Sequence, residues 1–431
     1  RLMKGVTASF WDKERSGQKE SQGGKALSTE EMTRRAMFTA EGWDFDKVWG
    51  IDEGTSAPHL LRPAEEDEPE YEAEPEAEIR DETGAIGISS IEQLQDLRNN
   101  PERPLDGDYF LTCDIDASET ATWNDGQGFL PIGSKALPFT GRFDGRGHVI
   151  RHLTFAIRGE HGSESGLFRW IGRGADVRNL GLEDVSATAW SVVGGLAGVI
   201  AGGNVTACHV TGEVRGGGLA GGLAAAISGG NVTACRFTGE VEETAHCSRG
   251  VGGLVGEFSG GSVSACYAAG KLKGTHYVGG LVGMMWDGSI TACYSITTIP
   301  KGKYCGGLIG EKRKSPKVTS SFWDIGTSGT KESDGGVGLE TGRMMRRETF
   351  TDAGWDFDAV WTIDEKTSYP YFIRDAGSPD VPRPDLPEYG LGVWLACLPV
   401  AAALCLAVGF SIAGLRARRR ARIARKEGQL L

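Results

Sequence analysis

The phrase Gly252-Gly253-Leu254-Val255-Gly256 returns as Gly279-Gly280-Leu281-Val282-Gly283 and, shortened to Gly-Gly-Leu, at 194–196, 221–223 and 306–308. Its leucines, Leu196, Leu223, Leu254, Leu281 and Leu308, stand 27, 31, 27 and 27 residues apart. A second phrase ends twelve residues after each of the first four: Val205-Thr206-Ala207-Cys208, Val232-Thr233-Ala234-Cys235, Val263-Ser264-Ala265-Cys266 and Ile290-Thr291-Ala292-Cys293. It fades to Val318-Thr319-Ser320-Ser321. A fixed period of this length marks a solenoid or a propeller, and propeller blades need about 40–45 residues. Leucine-rich repeats fit the period but need several leucines per unit, and here each unit has one.

Each unit holds three short β-prone runs, such as 253–256, Val263 to Tyr267 and 271–273, punctuated by Gly, Asn or Ser. Three strands per turn predict an all-β, right-handed, triangular parallel β-helix. Equivalent residues of successive coils would stack about 4.8 Å apart. The five leucines would then form one internal ladder, the glycine pairs tight corners, and Cys208, Cys235, Cys266 and Cys293 a ladder of small apolar groups. No C-x-x-C spacing makes these cysteines metal ligands, whereas disulfides between neighbouring rungs stay open outside a cell.

The pattern resembles the GLUG-motif repeats of bacterial surface proteins, including regions that accompany IgA-specific metallopeptidases and large adhesins. The resemblance implies a β-helical surface module and no particular chemistry. No His-Glu-x-x-His occurs, so a metallopeptidase centre is not expected here.

Residues 6–62 align without a gap on residues 318–374 at a constant offset of 312. Phe10-Trp11-Asp12 matches Phe322-Trp323-Asp324, and Gly42-Trp43-Asp44-Phe45-Asp46 matches Gly354-Trp355-Asp356-Phe357-Asp358. Residues 1–63 therefore read as the last coil and cap of a preceding module. No signal peptide is visible at Arg1. In the second copy Trp355, Phe357, Trp361, Tyr369, Tyr371 and Phe372 are expected to cover the last open rung. A catalytic aspartate cluster is the competing reading of Trp-Asp-Phe-Asp, weakened by its recurrence at the end of another module.

Residues 64–84 read as an acidic linker, since 65–82 carries eleven acids against Arg80, a net of −10 within a chain of net charge −12. Such a run repels itself and stays extended. Residues 85–375 then form the main module, opened by a short amphipathic helix at Ser89 to Leu97 with a serine cap. Within it, Asp144-Gly145-Arg146-Gly147-His148 superficially resembles the sites of polysaccharide-cleaving β-helices. Glycosidic hydrolysis needs two carboxylates at a set separation, and no second acidic pair recurs on neighbouring rungs. Outward-pointing surface groups are the preferred reading. The Asn204-Val205-Thr206 and Asn231-Val232-Thr233 sequons are explained by the repeat as equivalent turns.

Residues 376–388 turn proline-rich and predict a stiff spacer. Residues 389–415 lack charged side chains and are long enough for one transmembrane helix. Residues 416–431 carry a net +6 from Arg416 to Glu427, which places that end in the cytoplasm and the repeats outside. Leu386-Pro387-Glu388-Tyr389-Gly390 resembles a sortase sorting signal, with Tyr389 where the family has Thr. A retained single-span anchor is preferred over cell-wall attachment. No catalytic constellation, cofactor motif or metal site is expected, and the short arginine tail beside an apolar span argues against nucleic acid. The predicted role is an adhesin-like, membrane-anchored display or binding stalk for a host or matrix glycan or protein. A polysaccharide-active enzyme, or the arm of a surface peptidase, is the alternative.

Overall fold

The computed structural model describes residues 9–16, 24–46, 48–60, 79–98, 100–157, 164–245, 249–314, 316–378 and 381–384. The chain divides into two compact units, 1–78 and 79–431.

The second unit is an all-β parallel solenoid. One coil runs from Gly181–Ala189 on a first face to Val192–Gly194 on a second, then through Ala197–Ile200 and Asn204–Thr206 on a third. The next coil repeats it, with Gly181 beside His209, Val192 beside Leu219 and Val205 beside Val232 in parallel register. Two coils further on, the two third-face strands fuse into Val255–Ser264 and then Val282–Thr291. The faces form sheets of 10, 6 and 13 strands. Leu196, Leu223, Leu254, Leu281 and Leu308 are all fully buried, as are Val205, Val232, Val263 and Ile290 one side further round. Each such leucine contributes roughly 1.5–3 kcal/mol, which is why the phase of the repeat is held so tightly.

The glycine pairs stand at tight corners, as expected, without left-handed backbone. They are required by close approach: a Cβ at Gly194 would lie 2.2 Å from the Ala197 carbonyl oxygen, and one at Gly195 would lie 2.7 Å from that of Gly222. The left-handed corner falls on alanine, at Ala207, Ala234, Ala265 and Ala292, with φ of 57°, 52°, 50° and 51°. Strands therefore end before that residue, and Val263 to Tyr267 is a strand end plus a corner, not one strand. Each left-handed alanine costs about 1–2 kcal/mol, and the cysteine that follows explains how the bend is held. The Cys266 Sγ accepts the Cys235 N–H at 3.4 Å, Cys293 Sγ accepts that of Cys266 at 3.4 Å, and Ser321 Oγ accepts that of Cys293 at 3.2 Å. Each thiol in turn donates toward the carbonyl two residues back, at 3.1–3.4 Å. The ladder is thus a polar spine inside an apolar core, and its four cysteines are free and fully buried. Burial pushes the Cys208 and Cys266 thiols well above the ordinary thiol value.

At the N-terminal end, Ile91–Asp96 is helical, with Ser90 Oγ accepting the Gln93 N–H at 3.3 Å and Gln93 Oε1 accepting the Ser89 N–H at 2.8 Å. Its Ile91, Leu94 and Leu97 are buried with the core. Residues 79–84, within the expected linker, are structured. Arg80 bridges Ile86, and Asp81 Oδ1 accepts the Thr83 and Ala85 N–H groups at 2.9 and 3.2 Å. These bonds turn 79–84 back onto the first strand.

The aromatic cap is a lateral buttress, not a lid. Successive first-face strands place Gly181, His209, Arg236, Tyr267, Tyr294 and Phe322 in one outward ladder. Met344, Phe350, Trp355, Phe357, Trp361, Tyr369 and Phe372 pack on its last three members as a second core. Trp361 lies 4.6 Å from Trp355 and 4.7 Å from Phe372, and Trp355 Nε1 donates to the Ser320 carbonyl at 2.8 Å. The physical reason is alternation: Phe322 points out and meets the cap, whereas Trp323 points in and joins the solenoid core with Leu308. Beyond the cap, Val381 and Pro382 are buried, and the Pro382 carbonyl accepts the Tyr369 N–H at 3.0 Å. The beginning of the expected free spacer is therefore docked.

The first unit contains the same cap elements at the same offset. Phe10–Asp12 pairs in parallel with Lys25–Leu27, as Phe322–Asp324 does with Val337–Leu339. The helix Arg35–Thr39 answers Arg347–Thr351, and the ladder Trp49–Gly50 with His59–Leu60 answers Trp361–Thr362 with Tyr371–Phe372.

Among the described residues no helix is long and apolar enough to cross a membrane. Residues 389–415, the basic tail and Leu386 to Gly390 lie outside the described residues.

Candidate functional site

Asp144, Arg146 and His148 sit on one loop but do not work together. Asp144 accepts from Arg178 Nε at 2.9 Å, Asn179 Nδ2 at 3.0 Å and the Arg146 N–H at 2.9 Å. Arg146 pairs with Asp81 and lies 3.4 Å over the Phe110 ring. His148 Nδ1 meets Asp114 Oδ1 at 3.0 Å. Partial burial alone would raise the Asp144 carboxyl, but the amide, N–H and guanidinium around it hold it below the usual carboxylate value. It stays ionised near neutral pH and is a poor general acid.

The pairing continues from coil to coil. Arg151 joins Asp114 at 3.1 Å to Glu183 at 2.9 Å, and Glu183 meets His209 Nε2 at 3.4 Å. Beside His209, Arg236 is buried against Asp375, Nε to Oδ2 at 3.0 Å, and Arg374 donates to the Ala234 carbonyl at 2.5 Å. Burial and the nearby Arg236 charge lower the His209 pKa, with Glu183 and Asp375 opposing. Where the buttress ends, a notch of about 470 Å³ opens between Asp144, Arg146, His209, Arg374 and Asp375. Gly181 is its floor, since a Cβ there would come within 2.5 Å of the His209 ring. Its two carboxylates are both engaged by arginines. The Trp-Asp-Phe-Asp aspartate Asp356 is a turn residue, accepting the Asp358 and Ala359 N–H groups at 2.9 and 2.8 Å. No group of three metal-ligating side chains occurs among the described residues.

The larger feature is a groove of about 1200 Å³ along the first face, crossing five coils. Its floor is Gly212, Gly239 and Gly270, at φ of 123°, 153° and 119°. A Cβ at any of them would strike the backbone of the coil before. Glu213, Glu240 and Lys271 form one rim, with Tyr369 and Val381 to Arg383 among the other lining residues. The sequence carries this feature as a recurrent outward glycine, Thr-Gly-Glu at 211–213 and 238–240 and Ala-Gly-Lys at 269–271. Its spacing is that of the inward ladders, so the repeat alone does not mark it as surface.

No family model matches the chain. Halomucin of Haloquadratum walsbyi is 39% identical over 140 residues, 31% of this chain and 2% of that protein. A putative Gly-rich membrane protein of Evansella cellulosilytica is 38% identical over 78 residues, 17% of this chain and 9% of that one. The chain thus matches small parts of much longer proteins. A solved structure described as a putative immunoglobulin A1 protease from Bacteroides ovatus superposes on 68% of this chain and 94% of its own, with a TM-score of 0.45 and 18% identity. The fold assignment rests on the strand register of the chain itself.

Proposed function

We propose that the chain is a non-catalytic surface repeat protein, a GLUG-type stalk displayed outside the cell, with 389–415 as its membrane span and 416–431 inside. The observation that carries this reading is the contrast on the outer surface. The acids and bases around Asp144 and His209 are spent on one another, whereas a glycine-floored groove runs across five coils. Extended faces of this kind are what solenoids use for binding. The names of the two relatives, a mucin and a membrane protein, fit surface exposure. On intact cells, added protease should cleave the 79–384 unit while peptides from 416–431 stay protected. Protection of both segments until lysis overturns display. Detergent extraction of protein retaining Leu431 separates a retained anchor from wall attachment through Leu386 to Gly390, which would lose the tail and need muralytic digestion.

A further inference from the structure

Two tyrosines on the second face hold backbone that their side chains disfavour. Tyr277 has φ 54° and Tyr304 φ 58°, left-handed values that bulky residues rarely adopt and that concentrate at functional sites. The two occupy one outward ladder position, and the preceding coil carries Gly250 there. Gly250 stands at φ 155° and Leu219 before it is not left-handed, so the ladder position does not impose this backbone and the strain belongs to the two tyrosine rungs. Their rings are parallel to within 3°, with centroids 5.0 Å apart. Tyr304 is 37% exposed. At this position the two preceding coils carry Gly250, which has no side chain, and Leu219, which is buried.

The segment that carries Tyr304 is basic in an acidic chain, with Glu243 bonded to Thr275 on one side and Asp334 accepting the Lys312 N–H on the other. Between 301 and 317 stand Lys301, Lys303, Lys312, Arg313, Lys314 and Lys317 against Glu311 alone. Lys303 Nζ lies 4.6 Å from the Tyr304 centroid, and Arg313 lies 4.9 Å from that of Trp286 while pairing with Glu311 at 2.9 Å. The five lysines are exposed, and no described carboxylate forms an ion pair with any of them.

We propose that this corner binds an anionic polysaccharide, with a pyranose ring stacked on the Tyr277–Tyr304 pair and its carboxylates or sulfates against the lysine fringe. The flat stack supplies an apolar face for the ring C–H groups, and the lysines supply charge that a neutral glycan would leave unused. Duplex nucleic acid fits less well, because its bases are already stacked on one another and offer the tyrosines no free face. The proposal rests on the surface-display reading but is tested in solution, so a failure of binding is told apart from a failure of display.

The full chain is titrated at physiological salt with polygalacturonate, dextran sulfate, neutral dextran and duplex DNA. Binding to at least one of the two anionic glycans and not to dextran is expected, and the tighter of the two identifies the charged group. Tyr277→Gly and Tyr304→Gly should each weaken binding by about tenfold or more, yet raise or preserve the melting temperature, because they relieve strained backbone. Lys303→Gln with Lys312→Gln and Lys314→Gln should weaken binding and flatten its salt dependence. The proposal is overturned if neither anionic glycan binds, if dextran binds equally, if DNA binds more tightly than both, or if well-folded tyrosine variants bind as the parent does.

Discussion

Residues 9–60 and 321–372 are two copies of one cap, and only in the second is the supporting solenoid present in its own unit. Both copies bury the same inner set: Phe38 and Phe350 are fully buried, and Leu27, Phe45, Leu339 and Phe357 nearly so. Both keep the same polar bonds, such as Arg35 N to Glu53 Oε1 and Arg347 N to Glu365 Oε1, each at 3.0 Å. They part at the outer set. Phe322, Trp355 and Trp361 are buried, whereas Phe10, Trp43 and Trp49 are only partly so. The cap therefore carries a small core of its own and a second, aromatic face whose burial depends on Tyr267, Tyr294 and the other outward residues of a solenoid.

The largest test of that division is truncation at the docking face. Trp361→Ala removes a ring that is 1% exposed and packed among Trp355, Phe372 and the two stacked tyrosines, so it should cost about 3–5 kcal/mol. Trp49→Ala should cost clearly less. Urea unfolding of the two variants, followed by near-UV dichroism, reads the difference, and equal losses would mean that the solenoid adds nothing to the cap.

Next in size is a carboxylate shared by both copies. Asp324 is fully buried and accepts from the Gly326 N–H at 2.6 Å, Thr341 Oγ1 at 2.9 Å and Tyr369 Oη at 2.6 Å. Asp12 repeats the loop bonds and the threonine, Thr29, but Ala57 stands where Tyr369 would be. Asp324→Ala should cost about 3 kcal/mol by orphaning buried donors, and Asp12→Ala less. Tyr369→Phe should recover only part of the Asp324→Ala loss if the loop N–H bonds matter as well.

Much of this architecture was legible in the chain. The offset of 312 gives the second cap element by element, and the spacing of Leu196 to Leu308 gives the core. What escaped the reading has a common cause: a recurring residue reveals its phase but not which way it packs. The alanine of Val-Thr-Ala-Cys recurs like its neighbours, and nothing in its chemistry announces a left-handed corner. The cysteine does pack in the apolar core, and its hydrogen bonds leave no trace in the sequence because their partners are backbone groups. The lateral cap could have been found by listing the residues beside the inward ones: Tyr267 beside Ala268, Tyr294 beside Ser295, Phe322 beside Trp323. The notch at His209 joins Asp144 to Asp375, a separation in sequence that no repeat spacing encodes.

A smaller effect separates Ser321 from its counterpart Ser9. Ser321 is 1% exposed and ends the cysteine spine by accepting the Cys293 N–H. Ser321→Ala should therefore cost about 1–2 kcal/mol, and Ser321→Cys should restore most of it by adding one more rung. Ser9 is exposed, and Ser9→Ala should be milder. Thermal melts of the three variants decide it, and a silent Ser321→Ala would remove the hydrogen-bonding role assigned to the spine.

The smallest expected effect is on pH dependence, where the two units should part company between about pH 7 and 5. His209 is held neutral by burial and by Arg236, despite Glu183 at 3.4 Å. Its folded pKa lies below the unfolded value of about 6.5, so the unfolded chain binds the proton more readily. The stabilisation it gives is complete above that value and is lost as pH falls through it toward the depressed folded value. Among the described residues of the first unit the lowered groups are Asp12, through the Arg15 N–H first, and Glu31, through the Ser28 N–H first, and these act only at carboxylate pH. Acidification from pH 7 to 5 should therefore lower the solenoid transition by about 1 kcal/mol or less and leave the first unit nearly unchanged. His209→Gln should abolish that slope while leaving the acid unfolding below pH 4 in place. A slope that survives the substitution would move its origin away from the notch and onto groups elsewhere on the solenoid.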